Sequence, residues 1–193
     1  IVLLALNRKI PYRTWRWWHK LSGPLFLIVI AHWASFKSPI VLASPAGAWL
    51  AVLSLLGVMG AAYKLVLYPL FSRHARYRLR AVSANGSAVH LQLVPEGRRI
   101  PFLAGQFAFV SFEHDGLREP HPFTIAGIED DGSVRFAIKP LGDYTKALRE
   151  GVAVGDALTL EGGYGHFNHK RGGTKQIWLA GGIGVTPFLA MAS

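Results

Sequence analysis

The sequence predicts a multidomain membrane protein in which an α-helical transmembrane bundle precedes a six-stranded antiparallel β-barrel and the start of an α/β domain. Three observations predict it. Long apolar stretches lie in the first part of the 193 residues, the periodicity changes to two from Tyr77, and a glycine-rich turn follows an apolar run near the end. The expected divisions are 1–72, 73–174 and 175–193, and the membrane part should hold spans at about 15–37 and 46–71.

Composition supports the first division. The chain is 51% hydrophobic with a mean hydropathy of +0.27, apolar for a water-soluble protein. Its formal net charge of +10 is not spread over the whole length. Residues 1–80 contain 11 Lys and Arg and no Asp or Glu, whereas residues 81–193 contain 10 Lys and Arg against 11 acids. A nucleic-acid partner, which needs basic residues across a folded face, is not expected. With no cysteine, disulfides, thiolate metal sites and cysteine nucleophiles are excluded, and histidine is left as the expected transition-metal ligand.

The membrane segments follow in order. Ile1 to Leu6 is an apolar run too short to span alone, and it reads as the end of a severed helix. Leu21 to Phe36 is bounded by Lys20 and Lys37 and flanked by Trp17, Trp18 and Trp33, which suits a helix between two lipid interfaces. The stretch from about Ala46 to Phe71 carries one charge, Lys64, near enough to its end for the ammonium to reach the headgroups. Arg8, Lys9, Arg13, Arg16 and Lys20 precede the first span, and Lys64, Arg73, Arg76, Arg78 and Arg80 lie at or after the end of the second. Positive residues are retained inside, so everything after about residue 72 should be cytoplasmic, in a bacterial inner membrane or a plasma membrane, with lipid as a partner.

His19 and His32 stand 13 residues apart on the first span, roughly 20 Å of helical rise. Imidazole is a common axial ligand of haem iron, and an ionisable group in a membrane helix is costly enough to suggest function. The competing reading is an interfacial His19 beside Trp18 and an interhelical hydrogen bond for His32. An ideal helix leaves the two side chains roughly 140° apart, and Gly23-Pro24 between them offers a kink that could realign the faces.

The barrel is read from short alternating runs. Tyr77 to Val82 and Val89 to Leu93 flank Asn85-Gly86, a pair suited to a tight hairpin, and Ile125 to Ile128 and Val134 to Lys139 flank Asp130-Asp131-Gly132. Further strands are expected at Phe107–Phe112 and Ala157–Leu160. The most distinctive stretch is His121-Pro122-Phe123-Thr124-Ile125. On an extended strand His121 and Phe123 share one face and Thr124 takes the other, with Pro122 requiring an edge or a bulge.

These motifs resemble the family of NADPH oxidases and ferric reductases, whose cytoplasmic part is a ferredoxin-reductase-like FAD-binding barrel. The resemblance extends over nearly the whole chain, and its stretches fall in the family's order. Ala104-Gly-Gln-Phe107 comes first, then His121 to Ile125, then Ile138-Lys139-Pro-Leu-Gly142-Asp143-Tyr144-Thr145. It implies His121 at the flavin's phosphates, Phe123 against the ring system and Thr124 near the redox-active N5, so that Phe123 and Thr124 would serve catalysis. Lys139 and the backbone of Gly142, Asp143, Tyr144 and Thr145 would cradle the pyrophosphate, although an ordinary helix cap at Asp143 explains that stretch equally well. Soluble relatives usually carry Arg-x-Tyr-Ser where this chain has His121.

Ile177-Trp-Leu-Ala180 reads as a buried strand before the turn Gly181-Gly182-Ile-Gly184-Val-Thr186-Pro187-Phe, which resembles the family's NADPH (or NADH) site. Glu161-Gly-Gly-Tyr-Gly165 resembles the family's Gly-Pro-Phe-Gly turn. The resemblance further implies haem b at His19 and His32 as metal ligands, with the opposite ligands on transmembrane helices absent from this sequence. Electrons would pass from NAD(P)H through FAD and two haems to a small-molecule acceptor, dioxygen giving superoxide, a ferric chelate, or quinone. A non-catalytic membrane subunit or proton channel is the alternative from another class.

Overall fold

The computed structural model describes residues 12–36 and 39–192. The apolar run Ile1 to Leu6 and the charges of Arg8, Lys9 and Lys37 therefore lie outside the described residues. The chain divides into two compact units, Ile1–Phe71 and Ser72–Ser193.

In the first unit, α1 (Tyr12–Lys20) and α2 (Ser22–Ser35) are separated by a turn at Leu21. The proline effect expected at Pro24 explains the position of the turn. Pro24 donates no amide and its ring crowds the carbonyl four residues back, so it is accommodated where a helix is starting afresh, in the first turn of α2. Around the junction the Leu21 amide bonds the Trp18 carbonyl at 3.1 Å and the Ser22 hydroxyl bonds the His19 carbonyl at 2.7 Å. The expected first span is thus interrupted, and the 14 residues of α2 rise only about 21 Å.

The third helix, α3, opens as Pro45–Ala62, widens into a π turn at Tyr63–Leu67 and ends as Tyr68–Phe71. Its start is conventional in chemistry: Pro45 takes the first helical position and the Ser44 hydroxyl accepts the Gly47 amide at 3.0 Å. Among the described residues it is the one helix long and apolar enough to cross a membrane, with 27 residues and a mean hydropathy of 2.0. Its length, about 40 Å of rise, exceeds a hydrocarbon core of about 30 Å and allows tilt. Lys64 places its ammonium 3.2 Å from the Tyr68 ring centroid, one turn toward the helix end.

The second unit is a closed antiparallel barrel in the order β1-β2-β5-β4-β3-β6, with β6 returning to pair β1. Its strands are β1 (His74–Asn85), β2 (Ala88–Pro95), β3 (Phe107–Phe112), β4 (His121–Ile128), β5 (Val134–Ile138) and β6 (Ala157–Tyr164). All six expected strands form, and the barrel is as expected; β1, β2, β4 and β6 run longer than their apolar alternation alone indicated. The first hairpin turns one residue later than Asn85-Gly86 suggested. Asn85 stays in β1 opposite Ala88, and only Gly86, at φ +58°, leaves the usual region.

The barrel's interior follows the two-residue period. On β1, Ala75, Tyr77 and Leu79 are buried, while Arg76, Arg78 and Arg80 point outward to Glu113, Glu96 and Asp131 respectively. Tyr77 is fully enclosed, its oxygen accepts the Ile100 amide, and burial pushes its pKa up. Phe112, Ile125, Phe136, Leu158 and Leu160 complete the packed centre.

After β5 the chain forms α4 (Asp143–Gly151), which buries Leu148, and after β6 it runs through a single 3-10 turn at His169–Arg171. A second 3-10 turn at Gly182–Val185 leads into α5 (Thr186–Ala192), which packs against β4. The expected buried strand at Ile177–Ala180 does not form, and Ile177 and Leu179 are 89% and 85% exposed. Among the described residues the run pairs with no strand of the barrel.

Candidate functional site

The site is organised by a change of partner along β4. His121 to Thr124 pair with β3, whereas Ile125, Gly127 and Ile128 pair with β5, with a register shift between Ile125 and Gly127. Among the described residues, the flank of His121–Thr124 that faces away from β3 therefore has no strand beside it. That accommodates Pro122, which cannot donate to a second ladder, and gives it the edge position its chemistry requires.

Into this flank comes the start of α4. The Tyr144 ring stacks on the His121 imidazole with centroids 3.6 Å apart at 16°, and lies 6.4 Å from the Phe123 ring at 29°. His121 and Phe123 thus share one face, as strand alternation predicts. The Tyr144 hydroxyl donates to the Leu117 carbonyl at 3.2 Å. Burial, and then the Glu119 carboxylate, push the Tyr144 pKa up to about 12, so the phenol is neutral across the physiological range. His121 Nδ1 lies 2.9 Å from the Glu119 carbonyl oxygen.

Two separate sequence stretches are joined by this stack. Tyr144 is the second residue of α4, so the imidazole lies beside a helix amino terminus, where unpaired amides and the helix dipole favour an anion. The cap differs from the expected one: Gly142, not Asp143, occupies the cap position, and Asp143 is the first helical residue. Because glycine has no side chain to cap with, Thr145 reaches back. Its Oγ1 accepts the Leu141 and Gly142 amides at 2.9 and 3.0 Å. Those two amides are consequently engaged within the protein, and a ligand would meet the amides of the first turn of α4 instead. Lys139, just after β5, is exposed one short connection away from that turn.

Gly105 closes the neighbouring loop. It adopts φ +88°, and a Cβ there would lie 1.7 Å from the Phe167 carbonyl oxygen, so the approach of these two segments requires glycine. Gln106 then ties this loop to β4: its Oε1 accepts the Leu103 amide at 2.9 Å and its carbonyl accepts the Ile125 amide at 3.0 Å. The Glu161–Gly165 stretch is for the most part the end of β6, with Gly165 at φ +93°.

The glycine turn is reached through α5. Gly182 has φ +54°, the Gly184 amide bonds the Gly181 carbonyl at 3.0 Å, and the buried Thr186 hydroxyl bonds the Ile183 carbonyl at 2.6 Å. Pro187 follows as the second residue of α5. Since α5 lies on β4, the glycine turn and the His121–Ile125 stretch belong to one unit and share one strand as their support.

The histidines of the first unit are both exposed. His19 stacks on Trp15 at 4.8 Å and His32 lies 4.6 Å from Phe36, each a contact one helical turn away. Each is a single potential donor, and no cluster of three metal-ligating side chains occurs among the described residues. Sequence reasoning did not single out Leu117 or Glu119, because their hydrogen bonds to Tyr144 and His121 are made by backbone carbonyls, which carry no residue-type signal.

Residues 74–171, half of the chain, match a family model described as an FAD-binding domain. The chain belongs to this FAD-binding domain family. The flavin domain is also similar to methane monooxygenase component C of Methylosinus trichosporium, 34% identical over 47% of this chain and 27% of that protein. Dual oxidase 2 of Sus scrofa is 26% identical over 95% of this chain and 14% of its own length, a match that includes the helical unit. Among solved structures, flavohemoglobin from Malassezia yamatoensis with bound FAD and heme aligns with a TM-score of 0.54 at 26% identity, over 77% of this chain and 42% of that one. The chain thus spans less than a third of the curated relatives named here. The resemblance to the NADPH oxidase family is supported by the flavin domain match together with the near full-length similarity to Dual oxidase 2.

Proposed function

We propose that the protein is a membrane oxidoreductase that draws electrons from cytosolic NAD(P)H through FAD on the barrel, and on through two haems at His19 and His32, to an acceptor across the membrane. The observation that carries this reading is the His121–Tyr144 stack, which sets an imidazole at the amino end of α4 on a strand flank left open. FAD, when bound, supplies acceptance of a hydride and release of single electrons. The chain's own residues do the rest: His121, Lys139 and the first-turn amides of α4 receive the anionic part, Phe123 offers a ring face, and Thr124 lies at the partner-switching corner of β4. Gly182, Gly184 and Thr186 open the turn that would admit the nicotinamide nucleotide's phosphates.

His19 and His32 suit haem because each imidazole is exposed on its helix without an acid nearby in the sequence; the second ligand of each iron would come from other helices of the protein. Two histidines on each iron would leave no coordination site open, so the acceptor would be reduced without binding the metal. Dioxygen is the favoured acceptor, supported by the similarity to a dual oxidase over 95% of the chain.

The test is an absorption spectrum of the full-length protein, oxidised and after NADPH. Flavin bleaching and a reduced haem spectrum are expected, with His32→Ala removing one haem and leaving FAD bound. A preparation without porphyrin overturns the haem assignment, and one without flavin overturns the reading as a whole. Cytochrome c reduction that superoxide dismutase abolishes supports dioxygen as acceptor; insensitivity rules it out.

A further inference from the structure

We propose that Tyr144 is the positioning residue of the flavin site, holding His121 in a single tautomer and orientation so that only Nε2 is presented to the ligand. The inference rests on the reading of this site as the FAD site and goes beyond it by separating the group that would touch the ligand from the group that aims it.

The Glu119 backbone carbonyl can only accept a hydrogen bond. His121 Nδ1, 2.9 Å away, must therefore carry the proton that completes it. The neutral ring is then the Nδ1–H form, and Nε2 is the remaining polar atom of the ring. Such a bond alone fixes one atom and leaves the plane free to rotate about it. The Tyr144 ring, 3.6 Å from the imidazole at 16°, removes that freedom. Tyr144 is itself held at three points: its hydroxyl bonds the Leu117 carbonyl, its backbone is the second residue of α4, and its ring also packs near Phe123 and the barrel core. The strand, the loop before it and the helix after it thus converge on one imidazole, more constraint than packing of a surface tyrosine requires.

Chemistry follows from the tautomer. With Nδ1 committed, Nε2 serves a phosphate only as the N–H of an imidazolium, and serves a ribityl hydroxyl as an acceptor when the ring is neutral. A ring free to flip would present either nitrogen, and part of the population would face the ligand with the wrong atom.

The experiment uses full-length protein with 15N-labelled histidine, the His121 signals being assigned by their loss in His121→Asn. Tyr144→Ala is expected to shift the imidazole from one tautomer to a mixture and to weaken FAD binding about tenfold, the scale of one lost ring contact. Tyr144→Phe keeps the stack and should restore both the single tautomer and affinity to within about threefold. Tyr144→Leu keeps apolar bulk without a ring; if it folds like the wild type yet behaves like Tyr144→Ala, the effect belongs to the stack rather than to stability. A single Nδ1–H tautomer and unchanged FAD affinity in both Tyr144→Ala and Tyr144→Leu overturn the proposal. Wild-type protein that binds no FAD overturns the site reading instead, and the tautomer measurement stands apart from that result.

Discussion

The two units use the same apolar residues in opposite ways. In α3, Leu56, Leu65 and Leu70 are 58%, 77% and 73% exposed, whereas in the barrel Leu79, Leu93 and Leu158 are completely buried. Large contiguous apolar surface on a protein in water signals an interface, and the outward set of α3 makes such a surface. The difference teaches that the barrel encloses its own apolar side chains whereas α3 leaves them for a partner or an apolar surrounding, and the acids follow the same division: none up to residue 80 and 11 after it. Each arginine of β1 has an acid opposite, so the first strand of the barrel already follows the second regime.

The sharpest way to break this comparison is a pair of truncations. Phe136→Ala, at the barrel centre, is expected to destabilise the flavin unit by about 3–5 kcal/mol, because a packed interior loses both transfer energy and contacts around the cavity. Leu56→Ala on the outward face of α3 leaves no enclosed cavity and should cost under about 1 kcal/mol. Denaturant unfolding in lipid nanodiscs measures both, and equal losses would show that the outward face of α3 is packed against protein. A smaller effect is expected at the cap of α4. Thr145→Ala removes the acceptor of the Leu141 and Gly142 amides, worth about 1 kcal/mol, and should loosen FAD as the turn frays; amide exchange at Leu141 and Gly142 is the readout.

The least effect concerns pH, and it sharpens the contrast between an enclosed and an exposed group. Tyr144 titrates at about 12 when folded and near 10 when unfolded, so the folded state holds its proton longer. Its contribution is complete below pH 10 and declines as pH rises toward 12. Asp131 has the opposite sign. Its bonds from Ser133 lower its pKa, so the stability it adds is present above the unfolded value and is lost as pH falls through the folded one. Tyrosinate absorbance and an acid unfolding series compared with Asp131→Asn measure the two limbs; an unchanged acid limb in that variant would remove the Asp131 contribution.

Much of the barrel was legible because burial on one face leaves a two-residue signature that needs no partner to be seen. Val89–Leu93 shows this, since its alternating burial follows the residue pattern directly. Elements whose definition depends on a neighbour were less legible. Ile177–Ala180 is as apolar as a buried strand, but strand formation requires a ladder, and among the described residues the run pairs with none. At the site, residue types pointed to His121 and Phe123 and the family resemblance to Tyr144, while the stack that unites them arises from where α4 starts. The cap illustrates the same limit: Asp143 has the right side chain, yet the chain enters the helix one residue earlier, at Gly142, and Thr145 takes over the role. The turn at Leu21 was signalled by Pro24 but displaced toward the residues whose bonds the proline disrupts.

The change of partner along β4 has a consequence for how the barrel moves. Backbone groups on the unpaired flank of His121–Thr124 exchange hydrogen with solvent more readily than those deep in a ladder, so this segment is where the wall breathes. A cofactor laid against that flank would take the place of the neighbouring strand there, quieting the segment as it binds. Recognition and the last increment of rigidity would then arrive together, and substitutions that loosen His121–Thr124 would register as weak cofactor retention before they register as unfolding.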